Sequence, residues 1–401
     1  MQEPGPGDRI DVVDVLRGIA LLGMFLVHFN DASSAGSGIA GEYQRIVALL
    51  FEQRFATIFA ILFGVGFAIQ LRRADAHGES FLPRYLRRIF GLAAFGLIAQ
   101  VAFGRTTLIY LAVWGLPLFV ARKWSTPILI GAVVLSAASG EIYPLARTTY
   151  GVATWGEQGF RARQEARVAQ NHDFIRANNA ARHAKEYSTV LVARLRHLWW
   201  LQTRPLNFLP ADVFTMFLLG VLGLRLGLFE RPDEHRRLIA ALMIIGVLSW
   251  ALSAWVLAPP NTKIGSLIGL DLVVARLRSG FGVVSRRWLA LAYIGGVLLL
   301  VAHNPLWLRR LAAFAWTGRM ALTNYFVQIA VLYLTFSRHA LGLSVTPLVG
   351  MGAALVLFLA QAELGRWWLT RFRYGPLEWI WRSITYARWA QWRADPAVHR
   401  P

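Results

Sequence analysis

The stretch Asp11-Val-Val-Asp14-Val-Leu-Arg17-Gly18-Ile-Ala-Leu-Leu-Gly23-Met-Phe-Leu-Val-His28-Phe-Asn30-Asp31 decides the fold. From Ile19 to Val27 it holds no polar side chain. At about 1.5 Å per residue, a helix of about 20 such residues crosses a hydrocarbon core of about 30 Å. The run has the size of an export signal, but Glu3, Asp8, Asp11 and Asp14 precede it against only Arg9 and Arg17, and an export signal needs a positive leading segment. A retained membrane helix is the expectation.

Blocks of the same kind recur to the last tenth of the chain. They are Ile10–Phe29, Arg54–Leu71, Ile89–Phe103, Leu108–Val120, Pro127–Pro144, Val213–Phe229, Leu238–Leu257, Trp288–Ala302, Met320–Phe336 and Thr346–Ala362. The pattern predicts an all-α polytopic transmembrane helix bundle of about ten spans with short loops, one unit over residues 1–401. Several blocks are short, which calls for tilt or local thinning, and Ile264–Leu277 is an amphipathic or re-entrant candidate. Composition agrees: 56% of residues are hydrophobic and 16% charged, against about 45–50% and about 25% in soluble domains. The net charge of +20 raises nucleic acid as a partner. The bases, however, lie between apolar blocks rather than on one compact face, so the lipid bilayer is expected and nucleic acid is not. The chain has no cysteine, which excludes disulfides, iron–sulfur clusters and thiolate sites.

With ten spans, Arg72, Arg73, Arg84, Arg87 and Arg88, then Arg122 and Lys123, then Arg225, Arg231, Arg236 and Arg237, then Arg309 and Arg310 all fall on one side. The positive-inside rule makes that side the cytoplasm, with both termini there. Arg147–Arg196 and Arg276 to Arg287 are basic too and would lie opposite. Residues 147–198 form the one extended polar region, a helical insertion expected to lie on the membrane face or cap the bundle. Residues 364–401 form a basic aromatic tail in which Arg371, Arg373, Glu378, Arg382 and Arg388 alternate with Tyr374, Trp379, Trp381, Tyr386 and Trp389. The mixture suits an interfacial anchor, or a docking site for a phosphate or coenzyme, because guanidinium forks bind phosphates and aromatic faces stack on purines.

An ionisable side chain inside a span costs about 2.5–3.5 kcal/mol on insertion scales, so each must face protein or water and is a functional candidate. Asp14 and Arg17, three apart, are neighbours on a helix and can pair. His28 lies eleven residues beyond Arg17, on nearly the same face and about 16 Å away along the axis. An imidazole there can serve as a general base, with Asp31 placed to orient it; an interfacial histidine bonded to Asn30 or a carbonyl is the plainer reading. In the later block, Arg319 and Thr323 are four apart, as are Asn324 and Gln328, so two stripes of hydrogen-bonding groups enter an apolar helix. They either line a substrate channel or hold the bundle together. Glu52-Gln53-Arg54 fits a snorkelling cluster, with Arg54 kept as a candidate donor contact. The sequence lacks a Walker-type glycine loop, His-Glu-x-x-His and Gly-x-Ser-x-Gly, which disfavours an ATPase, a zinc protease or an ordinary serine hydrolase. Its histidines are too scattered for a metal site, and none is expected.

Asp14-Val-Leu-Arg17-Gly18-Ile-Ala, Leu62-Phe63-Gly64-Val-Gly66-Phe67, Met216-Phe-Leu-Leu-Gly220, Thr317-Gly318-Arg319-Met320-Ala-Leu-Thr323-Asn324-Tyr325 and Tyr374-Gly375-Pro376-Leu377-Glu378-Trp379-Ile-Trp381-Arg382 occur in this order. Together they resemble the YeiB-like family of bacterial inner-membrane proteins over nearly the whole chain. The Arg17 and His28 arrangement also resembles the first helix of transmembrane acyltransferases of the acyltransferase-3 and heparan-glucosaminide acetyltransferase types. The resemblance implies acyl transfer, with the functional Arg and His that acyltransferase-3 proteins have in that helix carried onto Arg17 and His28, whereas the glucosaminide enzymes place their catalytic His farther along, in the following loop, where this sequence has none. Where the family has Asp-Ile-Leu before the fourth span, this chain has Thr106-Thr107-Leu108, so a site using that carboxylate is absent. The expected activity is transfer of an acyl group from acyl-CoA to a hydroxyl or amine of a glycan, lipid or small metabolite. His28 is the expected base, Asp14, Arg17, Arg54, Arg319, Thr323, Asn324 and Gln328 the expected substrate or donor contacts, and no permanently bound cofactor is needed. The alternative is a transporter, flippase or non-catalytic membrane partner that uses the same buried polar path.

Overall fold

The computed structural model describes residues 10–182, 184–203, 211–257 and 288–394. Within them the regular structure is helical, apart from one isolated bridge between Phe372 and Arg393. The helices are α1 (Asp11–Ala32), α2 (Ile39–Leu50), α3 (Arg54–Ala76), α4 (Phe81–Phe103), α5 (Thr107–Leu118), α6 (Thr126–Arg182), α7 (Tyr187–Thr203), α8 (Ala211–Arg225), α9 (Arg236–Leu257), α10 (Trp288–His303), α11 (Leu306–Arg310), α12 (Ala312–Arg319), α13 (Ala321–Phe336), α14 (Pro347–Leu369) and α15 (Pro376–Tyr386). Each of the ten apolar blocks falls on a helix. Asp11–Ala32, Ile39–Ala76, Phe81–Phe103 and Pro347–Leu369 are long and apolar enough to cross a bilayer, and five shorter apolar helices accompany them. The protein is an all-α membrane bundle. The segment Ile264–Leu277 and the bases from Arg276 to Arg287 lie outside the described residues.

Helix α1 is the axis of the bundle, packed by α3, α12, α13 and α14. Only Asp11 and Asp31, at its two ends, are exposed. Glycine makes this possible. A Cβ at Gly18 would run into the Phe314 carbonyl, and one at Gly318 into the Asp14 carbonyl, so α1 and α12 touch backbone to backbone. Gly64 and Gly220 repeat the arrangement between α3 and α8, against the carbonyls of Phe217 and Ile61. Sequence motifs more than 150 residues apart are thus the two halves of single helix contacts.

The basic loops gather at one end. Arg72 clamps Glu230 through two hydrogen bonds of 3.0 and 2.5 Å, Arg225 donates to the Trp124 carbonyl, Arg236 donates to the Ala302 carbonyl at 2.6 Å, and Arg87 donates to the Thr385 carbonyl at 3.1 Å. The Arg72 hydrogen bond holds the Glu230 carboxyl below its ordinary range.

The polar insertion is not a separate piece. Helix α6 starts in an apolar block at Thr126 and runs through residue 147 to Arg182, broken only at Gly156, whose φ of 66° a glycine adopts without strain. Helix α7 returns to the bundle at the end opposite the basic loops. There buried Arg194 donates to the Val101 and Ala102 carbonyls at 2.6 and 2.7 Å, while Gln100 donates to the Arg194 carbonyl at 2.8 Å. A cation on the last carbonyls of α4 satisfies groups that a helix end leaves open.

Candidate functional site

A cavity of about 280 Å³ opens at the basic end between α1, α3, α4, α13 and α15. Each wall is set by local sequence. Arg17, on the second turn of α1, pairs with Asp14 at 2.9 Å and lines the cavity. Arg88 enters from α4, its guanidinium between the rings of Phe63 and Trp381 at 5.3 and 5.0 Å. Arg319 ends α12. Gly375-Pro376 starts α15, which turns Glu378, Trp381, Arg382 and Thr385 inward at i, i+3, i+4 and i+7. Arg382 lies between the rings of Tyr374 and Tyr386 at 4.7 and 4.8 Å. The lining therefore holds four arginines and one carboxylate.

That carboxylate is committed. Glu378 accepts from the Leu322 and Thr323 backbone N–H groups at 2.5 and 3.0 Å and from the Thr323 hydroxyl at 2.6 Å. In return the Leu377 N–H donates to Thr323 Oγ1 at 3.1 Å. The first turns of α13 and α15 cap one another. Desolvation pushes the Glu378 carboxyl above its ordinary value, and the Thr323 hydrogen bonds only partly offset this. Glu378→Ala orphans two helix N–H groups, so it is expected to cost about 2–3 kcal/mol and lower the thermal midpoint in detergent, with Glu378→Gln milder.

The other sequence candidates divide. Arg17 and Arg319 line the cavity, Asp14 holds Arg17 from behind the lining, and Thr323 holds the cavity wall. Asn324 and Gln328 do not line it. Asn324 donates to the Thr317 carbonyl at 3.0 Å, Gln328 to Gln361 Oε1 at 3.0 Å, and Gln361 to the Asn324 carbonyl at 3.1 Å, a closed amide chain between α12, α13 and α14. Gln361→Leu breaks two of these bonds and is expected to destabilise by about 1–2 kcal/mol, read as a lower thermal midpoint without loss of cavity binding. Arg54, 1% exposed, donates to the Ala48 carbonyl at 3.1 Å and to that of Glu52, so it clasps the α2–α3 turn away from the cavity.

His28 lies apart from the cavity lining, beyond its far end. Its Nδ1 is 3.4 Å from Arg105 Nη1, in the short α4–α5 connection, and Asp31 and Tyr325 lie within electrostatic reach of Arg105. Tyr325 also lines the cavity, so it stands between the two polar ends. The cavity stops short of His28 and is not polar throughout, against the polar path that the sequence suggested. Its middle is walled by Phe59, Leu62, Leu92, Leu108 and Leu111. Among the described residues no cluster of His, Asp or Glu could hold a metal ion.

Two family models match this chain. Residues 224–388 match a protein family of unknown function, DUF418, and residues 9–139 match the catalytic region of heparan-alpha-glucosaminide N-acetyltransferase. Over 88 residues the chain is 37% identical to the uncharacterized protein YeiB of Escherichia coli (strain K12), 22% of each chain. These matches fit the resemblance to the YeiB-like family. It is also 27% identical over 410 residues to the uncharacterized protein YxaH of Bacillus subtilis (strain 168), and 27% identical over 395 residues to an uncharacterized 39.9 kDa protein in the amylase 3' region of Bacillus acidopullulyticus. Both alignments cover 95% of each chain. No solved structure matches. The two family matches meet at the cavity: Arg17 and Arg88 come from the match over residues 9–139, and Arg319, Glu378 and Arg382 from the match over residues 224–388.

Sequence reasoning assigned Arg88 to the orienting loop charge and did not single out Gln70 or Arg105. The signal for Arg88 was its place one residue before an apolar block. Helix α4 begins at Phe81, so Arg84 and Arg88 are already helical and share the face turned to α15. The aromatic–arginine alternation of the tail did signal Tyr374, Trp381, Arg382 and Tyr386.

Proposed function

We propose that this protein is an integral-membrane acyltransferase that takes an acyl group from acyl-CoA and passes it to a hydroxyl or amine of a glycan, lipid or small metabolite. One observation carries the reading: a cavity open at the basic end gathers four arginines, and its one carboxylate is already used as a helix cap. A polyanionic donor is the natural complement of such a rim. The apolar middle leads the acyl end toward Tyr325 and His28. The similarity of residues 9–139 to an acetyltransferase catalytic region supports the same chemistry.

In this reading the basic end faces the cytoplasm of the bacterial inner membrane, where acyl-CoA is made, and both termini lie on that side. Asp14 holds Arg17 in place, and Arg17 and Arg319 contact the donor. His28 takes the proton of the acceptor as the new acyl bond forms and the thiolate leaves. A guanidinium offers no lone pair, so Nδ1 presents its own to Arg105 and the neutral ring carries hydrogen on Nε2. The acceptor must therefore displace Arg105 to be deprotonated at Nδ1. The test is consumption of radiolabelled acyl-CoA by purified protein with hydroxyl and amine acceptors, compared with His28→Ala. A rate untouched by the substitution removes His28 as base. Cargo movement across vesicles without donor consumption replaces the reading with transport.

A further inference from the structure

The cavity has two chemically different halves, and their order constrains the occupant. At the basic end, Arg88 is 8% exposed, and its Nη1 is buried without a hydrogen-bond partner among the described residues. The rings of Phe63 and Trp381 pack against its guanidinium at 5.3 and 5.0 Å, and all three residues line the cavity. A Cβ at Gly66 would stand 3.4 Å from Arg88 Nη2 and 3.6 Å from Arg17 Nη2, so two like charges face the same bare patch of backbone. Gln70 Oε1, also buried and without a hydrogen-bond partner, offers an acceptor at the rim. From Gln70 the cavity follows α3 to Phe59, about 16 Å for eleven residues. Beyond the rim its walls are Phe59, Leu62, Leu92, Leu108 and Leu111.

A buried guanidinium with an unmet N–H, beside a second guanidinium whose charge is met only by Asp14 among the described residues, calls for a phosphate-type group. An apolar slot beside them calls for hydrocarbon, not for a second polar moiety. We propose that this cavity binds an anionic amphiphile, with one phosphate group at Arg17 and Arg88 and one apolar chain of medium length along the α3 and α5 face. The proposal rests on the acyl-transfer reading only for the fate of the chain, in which case the transferred acyl group is longer than acetyl. Binding itself stands without turnover.

The experiment uses the full chain in phosphatidylcholine nanodiscs, with Trp fluorescence as readout and empty nanodiscs as blank. The probes are inorganic phosphate, butyl phosphate, octyl phosphate and uncharged octanol. Affinity is expected to rise up to about fourfold per methylene buried, so that octyl phosphate binds at least 100-fold more tightly than inorganic phosphate. Octanol should not compete. Arg88→Gln is expected to weaken every phosphate at least tenfold, and Leu111→Phe to remove only the chain-length gain. Arg382→Gln and Leu108→Phe are the replacements if either variant does not fold. Displacement of octyl phosphate by phosphatidylglycerol added to the bilayer identifies the source as membrane lipid, and its absence identifies a soluble ester. Equal affinity for inorganic and octyl phosphate overturns the proposal while leaving transfer from a short-chain donor standing. Competition by octanol, or binding unchanged in Arg88→Gln, overturns it by removing the anion site.

Discussion

His28→Ala is expected to lower acyl transfer by about 10²–10⁴-fold, the usual contribution of a positioned acid–base group. The effect should fall on kcat rather than on donor KM, because His28 lies outside the arginine cavity proposed to hold the donor. The same split separates a catalytic from a packing role. A histidine that merely fills space would, on truncation, lower the thermal midpoint and leave the rate of the surviving folded protein near wild type. Arg105→Met gives the complementary readout. It frees Nδ1 without touching the ring, so activity should persist with an altered pH profile. A pH profile unmoved by loss of the guanidinium 3.4 Å away would mean that the contact does not govern the imidazole.

Gly318→Leu is expected to abolish the folded bundle. Overpacking a core usually costs about 1–3 kcal/mol because side chains can rotate aside. Here the obstructing atoms are the Asp14 carbonyl and the Gly18 backbone nitrogen, which cannot. Helices α1 and α12 would have to separate, and with them Asp14, Arg17 and Arg319. The variant should appear as aggregate in size exclusion, with no thermal transition. Gly352→Leu is the control. Its Cβ meets nothing within 4 Å, and a change within about 0.5 kcal/mol is expected. Equal behaviour of the two variants would mean that the glycine contact does not set helix spacing.

How far the sequence carried depends on which physical signal each residue emits. The apolar blocks were legible because a bilayer demands continuous hydrophobicity, and the Asp14–Arg17 pair because helical spacing alone makes them neighbours. Asn324 and Gln328 showed that a polar stripe enters a helix, but not what it meets. Their partner Gln361 sits in another apolar block and brings the amides into a sealed chain instead of a channel wall. Arg88 was hidden by its own commonness, since an arginine beside a span is what orientation alone would place there. Arg105 was invisible for a different reason: its relation to His28 spans 77 positions and arises only when the α4–α5 connection folds against α1. The continuity of α6 into the insertion was obscured by the change from apolar to polar composition, which alters what the helix faces without ending it.

The account stands most directly on a density map of the full chain in nanodiscs with saturating acyl-CoA. It predicts phosphate density against Arg17 and Arg88, with the thioester directed along the apolar half toward Tyr325 and His28. Donor density elsewhere on the protein, with the arginine cavity empty at saturation, would contradict it.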